Sequence, residues 1–175
     1  MEPASLTKLM TAYLAFKALG EKRISPDQAV PVSQRSRSGR GSRMFLDPKK
    51  PVTVDELIRG MIVQSGNDAA IALAEAIAGS EEAFVGLMNK EAGRLGLRNT
   101  HFTNPTGLPD PNHYSNAEDL AALATAVIRD FPAHSPLYSQ KEYRYNGITQ
   151  ANRNRLLWSD PTVDGMKTGY TENAG

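Results

Sequence analysis

The sequence contains no cysteine and almost no net charge, with 20 Lys and Arg against 19 Asp and Glu. Without cysteine the chain can form no disulfide, no thiolate zinc site and no catalytic thiol. The balanced charge argues against a nucleic-acid-binding protein, which needs a basic surface to contact phosphates. No apolar run approaches the roughly 18 residues that a membrane-spanning helix requires. These absences exclude a disulfide-stabilised, a thiol-dependent and a membrane-spanning protein.

Hydrophobic residues make up 40% of the 175 residues and charged residues 22%, so the chain can bury a core. Its length is that of one ordinary domain or of a part of a larger one. We find no internal repeat, no low-complexity tract and no linker that would divide it. Helical patterns cover most of the chain, and strand patterns gather near its C-terminal end. The sequence therefore predicts one helix-rich unit with a smaller β portion.

Capping and stop signals place the ends of the predicted helices. The first helix, residues 5–19, is apolar around nearly its whole circumference, which is typical of a helix in the middle of a domain. Residues 31–51 are rich in proline, glycine and arginine and predict a loop. Further helices are predicted over 53–62, 68–78 and 81–95, and from a capping box at 115–118 to about residue 130.

Two strand patterns follow the last predicted helix. Asn146-Gly147 lies within the alternating residues 143–149, and this pair is the strongest short-range signal for a β-hairpin. Residues 162–170 predict a turn followed by a strand.

Ser5 and Lys8 form a Ser-x-x-Lys pair at the start of the first predicted helix. Residues three apart share one helix face, so Lys8 is expected one turn above Ser5. A helix N-terminus favours an alkoxide on Ser5 and a neutral amine on Lys8. We hypothesise that Lys8, desolvated by the apolar helix, is the base that activates Ser5 as a nucleophile. The same pattern is also that of a helix cap beside a solvated lysine.

Ser65-Gly66-Asn67 separates two apolar segments at a point where a continuous helix would have formed easily. One interpretation is an ordinary turn in which the serine and asparagine side chains cap the helix ends. The other interpretation is functional. Ser65 would pass a proton to a leaving amine, and the Asn67 amide would bind a substrate and hold Lys8.

Lys167-Thr168-Gly169 belongs to the strand pattern near the C-terminal end. It is typical of a solvated lysine on an edge strand beside a turn glycine. The alternative is a cation and a hydroxyl that bind a substrate carboxylate, with Gly169 small enough to let the substrate lie along the strand.

Ser-x-x-Lys, Ser-x-Asn and Lys-Thr-Gly follow one another in the order found in penicillin-binding proteins and serine β-lactamases. Further segments resemble the low-molecular-mass D-alanyl-D-alanine carboxypeptidases, a group of penicillin-binding proteins. These segments are residues 3–19, 56–80, 84–89, 95–108, 152–158 and 163–170. On this resemblance, residues 1–175 are identified as part of a penicillin-binding catalytic domain of that family.

The resemblance implies an α+β fold of the β-lactamase/transpeptidase type, in which a helical cluster packs against a five-stranded antiparallel sheet. In that family a helix and two strands precede the serine, and further strands follow Lys-Thr-Gly. We therefore expect N-terminal and C-terminal sheet strands to be missing from this chain.

The resemblance also assigns roles to the motif residues. Ser5 would be the acylated nucleophile, Lys8 its base and Ser65 the third catalytic residue. The backbone N–H groups of Ser5 and Tyr170 would form the oxyanion hole. The implied reaction removes the terminal D-Ala of peptidoglycan pentapeptide stems through an acyl-enzyme, and it needs no metal and no organic cofactor. The implied substrate-binding residues are Asn67, Lys167, Thr168 and Gly169.

Two alternatives stay open. A serine β-lactamase shares the three motifs, but class A enzymes add a glutamate for deacylation, and we find no Glu-x-x-Leu-Asn segment. The second alternative is a catalytically inactive fragment, because missing strands would leave the Lys-Thr-Gly strand without neighbours.

The family resemblance implies an envelope location, in the periplasm or at the outer face of the cytoplasmic membrane. The N-terminus shows no signal-peptide pattern, and we expect the membrane anchor of full-length relatives to lie beyond residue 175. The expected partners are the D-Ala-D-Ala end of peptidoglycan and β-lactams as covalent inhibitors, and no nucleic acid is expected.

Overall fold

The computed structural model describes residues 1–174 and is built mainly of helices. In that range no helix is both long and apolar enough to cross a bilayer. Two 3-10 segments, Ala4–Thr7 and Pro132–Ser139, accompany the α-helices. The α-helices are α1 Lys8–Gly20, α2 Gln34–Ser38, α3 Val54–Val63, α4 Asn67–Ala78, α5 Glu81–Arg94, α6 Ala117–Asp130 and α7 Leu156–Ser159.

Two small antiparallel sheets complete the described chain. Strand β1, Ala29–Val30, pairs with β2, Val52–Thr53, and β3, Glu142–Tyr145, pairs with β4, Ile148–Ala151. Asn146 and Gly147 both have positive φ angles, 49° and 79°, as a type I′ turn requires. The predicted hairpin is confirmed, and the helix-rich fold with small antiparallel sheets agrees with a partial α+β domain.

Helix α1 is the centre of the packing, as its all-round hydrophobicity predicted. It packs against α3, α4, α5 and α6, and Met10, Ala12 and Phe16 are completely buried. Because neighbouring helices pack around α1, its N-terminal end is held in a defined position. The N-terminal residue of this helix is Lys8.

The predicted capping box at Thr53 is present, with Thr53 Oγ1 accepting from the Glu56 N–H and Glu56 accepting from the Thr53 N–H. The predicted box at 115–118 is wrong by one residue. Asn116 is the N-cap of α6, and its side chain accepts from the Asp119 N–H. Ser115 is unavailable because its hydroxyl bonds to Thr100 Oγ1.

Two further predictions need correction. The helix predicted over 5–19 begins as a 3-10 turn, Ala4–Thr7, and Ala4 itself has a φ of 48°, which lies outside the α-helical region. The 31–51 region is a loop for most of its length but also contains α2, which Ser33 caps by accepting from the Ser36 N–H.

The strand predicted within 162–170 is not formed. A strand is defined by its ladder of hydrogen bonds to a neighbour, and the described residues offer this segment no partner strand. Residues 162–170 instead cross the face of the molecule as irregular chain, and Asn154 Nδ2 donates to the Gly165 carbonyl at 2.9 Å.

Candidate active site

Lys8 is the central residue of the candidate site. Its side chain is 2% exposed, and its Nζ lies 3.1 Å from Ser5 Oγ. The same nitrogen lies 2.7 Å from Asn67 Oδ1 and 2.7 Å from the Thr106 carbonyl oxygen. A buried amine with three oxygen neighbours is fully satisfied, so its position is well determined.

Three segments bring these oxygens to the amine. The 3-10 turn places Ser5 three residues before Lys8, and Asn67 is the first residue of α4. Ser65 has a φ of 59°, which ends α3 and lets α4 start in a new direction. The predicted break at Ser65-Gly66-Asn67 is therefore confirmed, and it positions an amide that bonds to Lys8.

The contacts of Lys8 determine where its lone pair points when the amine is neutral. The Asn67 amide is oriented by Nδ2, which donates to the Arg40 carbonyl, so Oδ1 faces the lysine. Oδ1 and the Thr106 carbonyl can only accept hydrogen bonds. The two N–H groups of a neutral amine serve these acceptors, and the lone pair is left facing Ser5 Oγ. The arrangement is therefore that of a base hydrogen-bonded to a hydroxyl.

Burial lowers the pKa of Lys8 well below the ordinary lysine value. The positive charge of Lys167 lowers the pKa further, whereas the negative charge of Asp68 raises it. A lowered pKa increases the fraction of neutral amine near neutral pH, which is the form that can take a proton.

The turn that carries Ser5 is held between two glycines. Gly107, at a φ of 88°, lies so close to the Ala4 carbonyl that a Cβ would overlap it. On the other side, a Cβ on Gly169 would lie 3.2 Å from Ala4 Cβ. Gly107 is needed for this close approach, whereas a side chain at Gly169 would make a tight contact where the Lys-Thr-Gly segment packs against the Ser5 turn.

The first two residues of α4, Asn67 and Asp68, are hydrogen-bonded to the chain segment that begins at residue 42. The Asn67 N–H donates to the Ser42 carbonyl at 2.7 Å. Asp68, which is 2% exposed, accepts from the N–H groups of Met44, Phe45 and Leu46. These bonds fix the 42–46 segment beside the motif.

An open cleft of about 410 Å³ lies over Ser5. A smaller cavity of about 110 Å³ lies beside it and shares Ser5, Ser42 and Tyr170, while Leu108 and Pro109 give it an apolar side. The larger cleft is lined by Ser5, Ser42, Ser65, Arg153, Thr168, Gly169 and Tyr170.

The structure gathers most of the predicted site residues around this cleft. Lys167 does not line the cleft but is half-buried next to Thr168, and its Nζ donates to the Thr168 carbonyl at 2.9 Å. Burial lowers the pKa of Lys167 to about 8, and the charge of Arg153 acts in the same direction. Tyr170 lines both cavities, although its side chain is 75% exposed.

Ser42, Arg153 and Thr106 are among the site residues that were missed in the sequence. Arg153 contributes a cation to the cleft, and Thr106 contributes a backbone carbonyl to Lys8. Asn104 Oδ1 accepts from the N–H groups of Thr106, Gly107 and Leu108. An Asn-Pro-Thr-Gly run of this kind is a recognisable turn signal, but its role beside a lysine is visible only in three dimensions.

Within residues 1–174 no group of three or more His, Asp or Glu side chains is placed to hold a metal ion. The chemistry available to the cleft from the described residues is that of hydroxyls, amines, a guanidinium and backbone amides. This set suits nucleophilic attack on a carbonyl carbon followed by stabilisation of the oxyanion.

The comparison with known families decides the lineage, because the model of the D-alanyl-D-alanine carboxypeptidase family matches residues 1–175. The chain belongs to the D-alanyl-D-alanine carboxypeptidase family. Among its relatives is D-alanyl-D-alanine carboxypeptidase DacA of Haemophilus influenzae, 49% identical over an alignment of 178 positions that covers 99% of this chain and 45% of that protein. The chain thus spans about half the length of the curated carboxypeptidases it matches.

Solved structures agree with this family assignment. Penicillin-binding protein 5 from Haemophilus influenzae superposes with a TM-score of 0.97 at 47% identity, covering 100% of this chain and 52% of that one. Penicillin-binding protein D2 from Listeria monocytogenes, solved in the cefotaxime-bound form, has a TM-score of 0.86 at 29% identity. The match covers 98% of this chain and 70% of the Listeria chain. The transpeptidase/β-lactamase-type fold implied by the resemblance is thereby confirmed.

Proposed function

We propose that this chain forms part of the catalytic domain of a serine-type D-Ala-D-Ala carboxypeptidase, with Ser5 as the acylated residue. The supporting observation is the buried Lys8 amine, whose two carbonyl contacts leave its lone pair for Ser5 Oγ. Family membership supports the same reaction class.

Acylation would begin when neutral Lys8 takes the hydroxyl proton of Ser5. The Ser5 oxygen attacks the carbonyl carbon of the peptide bond between the two D-Ala residues, and that carbonyl oxygen becomes an oxyanion. The backbone N–H groups of Ser5 and Tyr170 would stabilise this oxyanion. Both residues line the same cleft.

Collapse of the tetrahedral intermediate breaks the C–N bond, and the leaving amine of the terminal D-Ala takes a proton. Ser65, which also lines the cleft, would pass that proton from the ammonium form of Lys8. Water would then hydrolyse the ester on Ser5 and release the shortened peptide.

The cationic side of the cleft would bind the carboxylate of the terminal D-Ala. Thr168 supplies a hydroxyl, Arg153 supplies positive charge in the cleft wall, and Lys167 supplies positive charge from the position next to Thr168. Asn67 would have two functions, since its Oδ1 bonds to Lys8 and its side chain also lines the smaller cavity. Gly169 leaves room for the peptide.

β-Lactams are proposed as covalent inhibitors because their strained amide would be attacked by the same serine. The cefotaxime-bound form of the Listeria protein supports this proposal for a chain of similar fold. The substrate would be the pentapeptide stem of peptidoglycan, and we propose that the reaction takes place outside the cytoplasmic membrane; the chain is similar to bacterial D-alanyl-D-alanine carboxypeptidases.

The test is release of D-alanine from a synthetic peptide that ends in D-Ala-D-Ala. The native chain should release D-alanine, and a peptide ending in L-Ala-L-Ala should remain intact. Ser5→Ala should abolish the release without loss of the folded state by circular dichroism. Fast turnover of the chromogenic cephalosporin nitrocefin without D-alanine release would instead identify a β-lactamase.

A further inference from the structure

His113 occupies the base of the loop that forms the back of the candidate site, residues 101–114. The loop is closed by a bridge between His101 and Tyr114. Its tip provides the Thr106 carbonyl to Lys8 and the close contact of Gly107 with Ala4. A residue that fixes this loop relative to the Ser5 turn therefore also fixes an acceptor of the Lys8 amine.

The His113 side chain makes such a connection. It is 2% exposed, and its Nδ1 lies 3.0 Å from the backbone nitrogen of Thr103, on the opposite arm of the loop. Its Nε2 lies 2.7 Å from Thr7 Oγ1. Thr7 is completely buried and stands in the 3-10 turn, immediately before Lys8.

These contacts determine the tautomer of the ring. The Thr103 N–H can only donate, so Nδ1 must carry a lone pair and the proton must be on Nε2. The Nε2–H group therefore donates to Thr7 Oγ1. A protonated ring would place an N–H on Nδ1, opposite the N–H of Thr103, and would lose that hydrogen bond, leaving only the Thr103 hydroxyl, 3.2 Å from Nδ1, to accept from the ring.

We propose that His113, in its neutral Nε2–H form, is a positioning residue that holds the Ser5 turn and the Thr106 carbonyl at the distances required for Lys8 to act as a base. The proposal rests on the proposed function of Ser5 and Lys8. His113 itself touches neither the nucleophile nor the base.

The surroundings of His113 keep its imidazole ring neutral at pH values near 7. Burial lowers the pKa of His113 to about 4. Of the charged groups that face it, Asp110 and Glu2 raise the pKa and His101 lowers it. The contact to Thr103 is therefore intact at neutral pH.

The experiment compares His113→Gln with His113→Leu. Glutamine offers an amide donor and a carbonyl acceptor in place of the two ring nitrogens, whereas leucine fills space and offers neither. Acylation by a fluorescent penicillin is followed by stopped flow, which separates the affinity of the first complex from the rate of acylation. His101→Gln, on the exposed end of the same loop, is the matched control.

We expect His113→Leu to slow acylation about tenfold or more with little change in affinity, since small displacements of reacting groups cost this much. His113→Gln should stay within about threefold of the native rate. Thr7→Val should resemble His113→Leu, and the double variant should lose little more. A folded His113→Leu variant that is acylated at the native rate would overturn the proposal, and so would equal losses in the leucine and glutamine variants.

Titration of Lys8 by NMR, with 13C at Cε, separates failure of this proposal from failure of the proposed function. A native chain that is not acylated contradicts the function of Ser5. The titration still tests His113, because loosening the turn admits water and should raise the pKa of Lys8 in His113→Leu but not in His113→Gln. An unchanged titration in the folded leucine variant would refute the positioning role.

Discussion

Lys8 Nζ and Asn67 Oδ1 lie 2.7 Å apart, and this buried contact joins the first residue of α1 to the first residue of α4. The two helices are packed against each other in the core, so the distance is set by the fold and not by the mobility of two side chains. The contact ties the chemistry of the amine to the integrity of the helical core.

Asn67→Asp should move the activity of Lys8 to higher pH. A carboxylate at hydrogen-bond distance raises an amine pKa by about 1–3, so the acidic limb of the acylation profile should move to higher pH by about that amount. The rate should recover toward the native value at alkaline pH, where the amine loses its proton. The measurement is the pH profile of acylation by a fluorescent penicillin. A profile that only drops, without moving along the pH axis, would show that Asn67 does not act through Lys8.

Substrate affinity should decrease as the pH rises through about 8, the pKa to which burial lowers Lys167. The positive charge exists below this pH and is lost above it, so the Michaelis constant for a peptide carboxylate should increase on the alkaline side. Lys167→Arg keeps its charge at all these pH values and should flatten the increase. If the native chain and the Lys167→Arg variant show the same rise, Lys167 is not the group responsible.

Gly107→Ala should disrupt the Ser5 turn. A Cβ at this position overlaps the Ala4 carbonyl, and the φ of 88° is unfavourable for alanine. We expect a loss of about 3 kcal/mol or more in the free energy of unfolding, together with loss of acylation. Gly96→Ala is the control, because Gly96 has a φ of 75° with open space around it, and it should cost only about 1–2 kcal/mol. Chemical denaturation measures both variants, and equal losses would contradict the packing argument.

Folding stability should fall between pH 6.5 and about 4 because of His113, whose pKa burial lowers to about 4 from 6.5. In this window the unfolded chain binds a proton that the folded chain does not, so stability is lost as the pH falls, by up to about 3 kcal/mol. His134 acts in the same direction because burial also lowers its pKa. The test is therefore the difference between native and His113→Gln chains, whose slope against pH should be smaller. Parallel curves would contradict the neutral, buried state of His113.

The sequence predicted much of the site because its main signals are local. Ser5 and Lys8 lie one turn apart. Asn67 follows a helix break, which Gly66 between two apolar segments indicates in the sequence. Thr106 escaped prediction because it acts through a backbone carbonyl, which any residue type supplies.

Other differences also have physical causes. The 3-10 start of the first helix packs against Gly107, which is distant in sequence, so a local pattern does not show it. The prediction of a strand within 162–170 was wrong. A strand pattern reflects only the side chains, whereas a strand forms only where a neighbouring strand makes backbone hydrogen bonds with it. The shifted N-cap at Asn116 follows from the bond of Ser115 to Thr100.

The most direct test of the account is the intact mass of the chain after incubation with benzylpenicillin, with Ser5→Ala treated in parallel. If Lys8 activates Ser5, the native chain gains the mass of one antibiotic molecule, and peptide mapping locates the adduct on Ser5. The Ser5→Ala chain gains nothing. A folded native chain without an adduct, or an adduct that persists in Ser5→Ala, would contradict the assignment of Ser5 as the nucleophile.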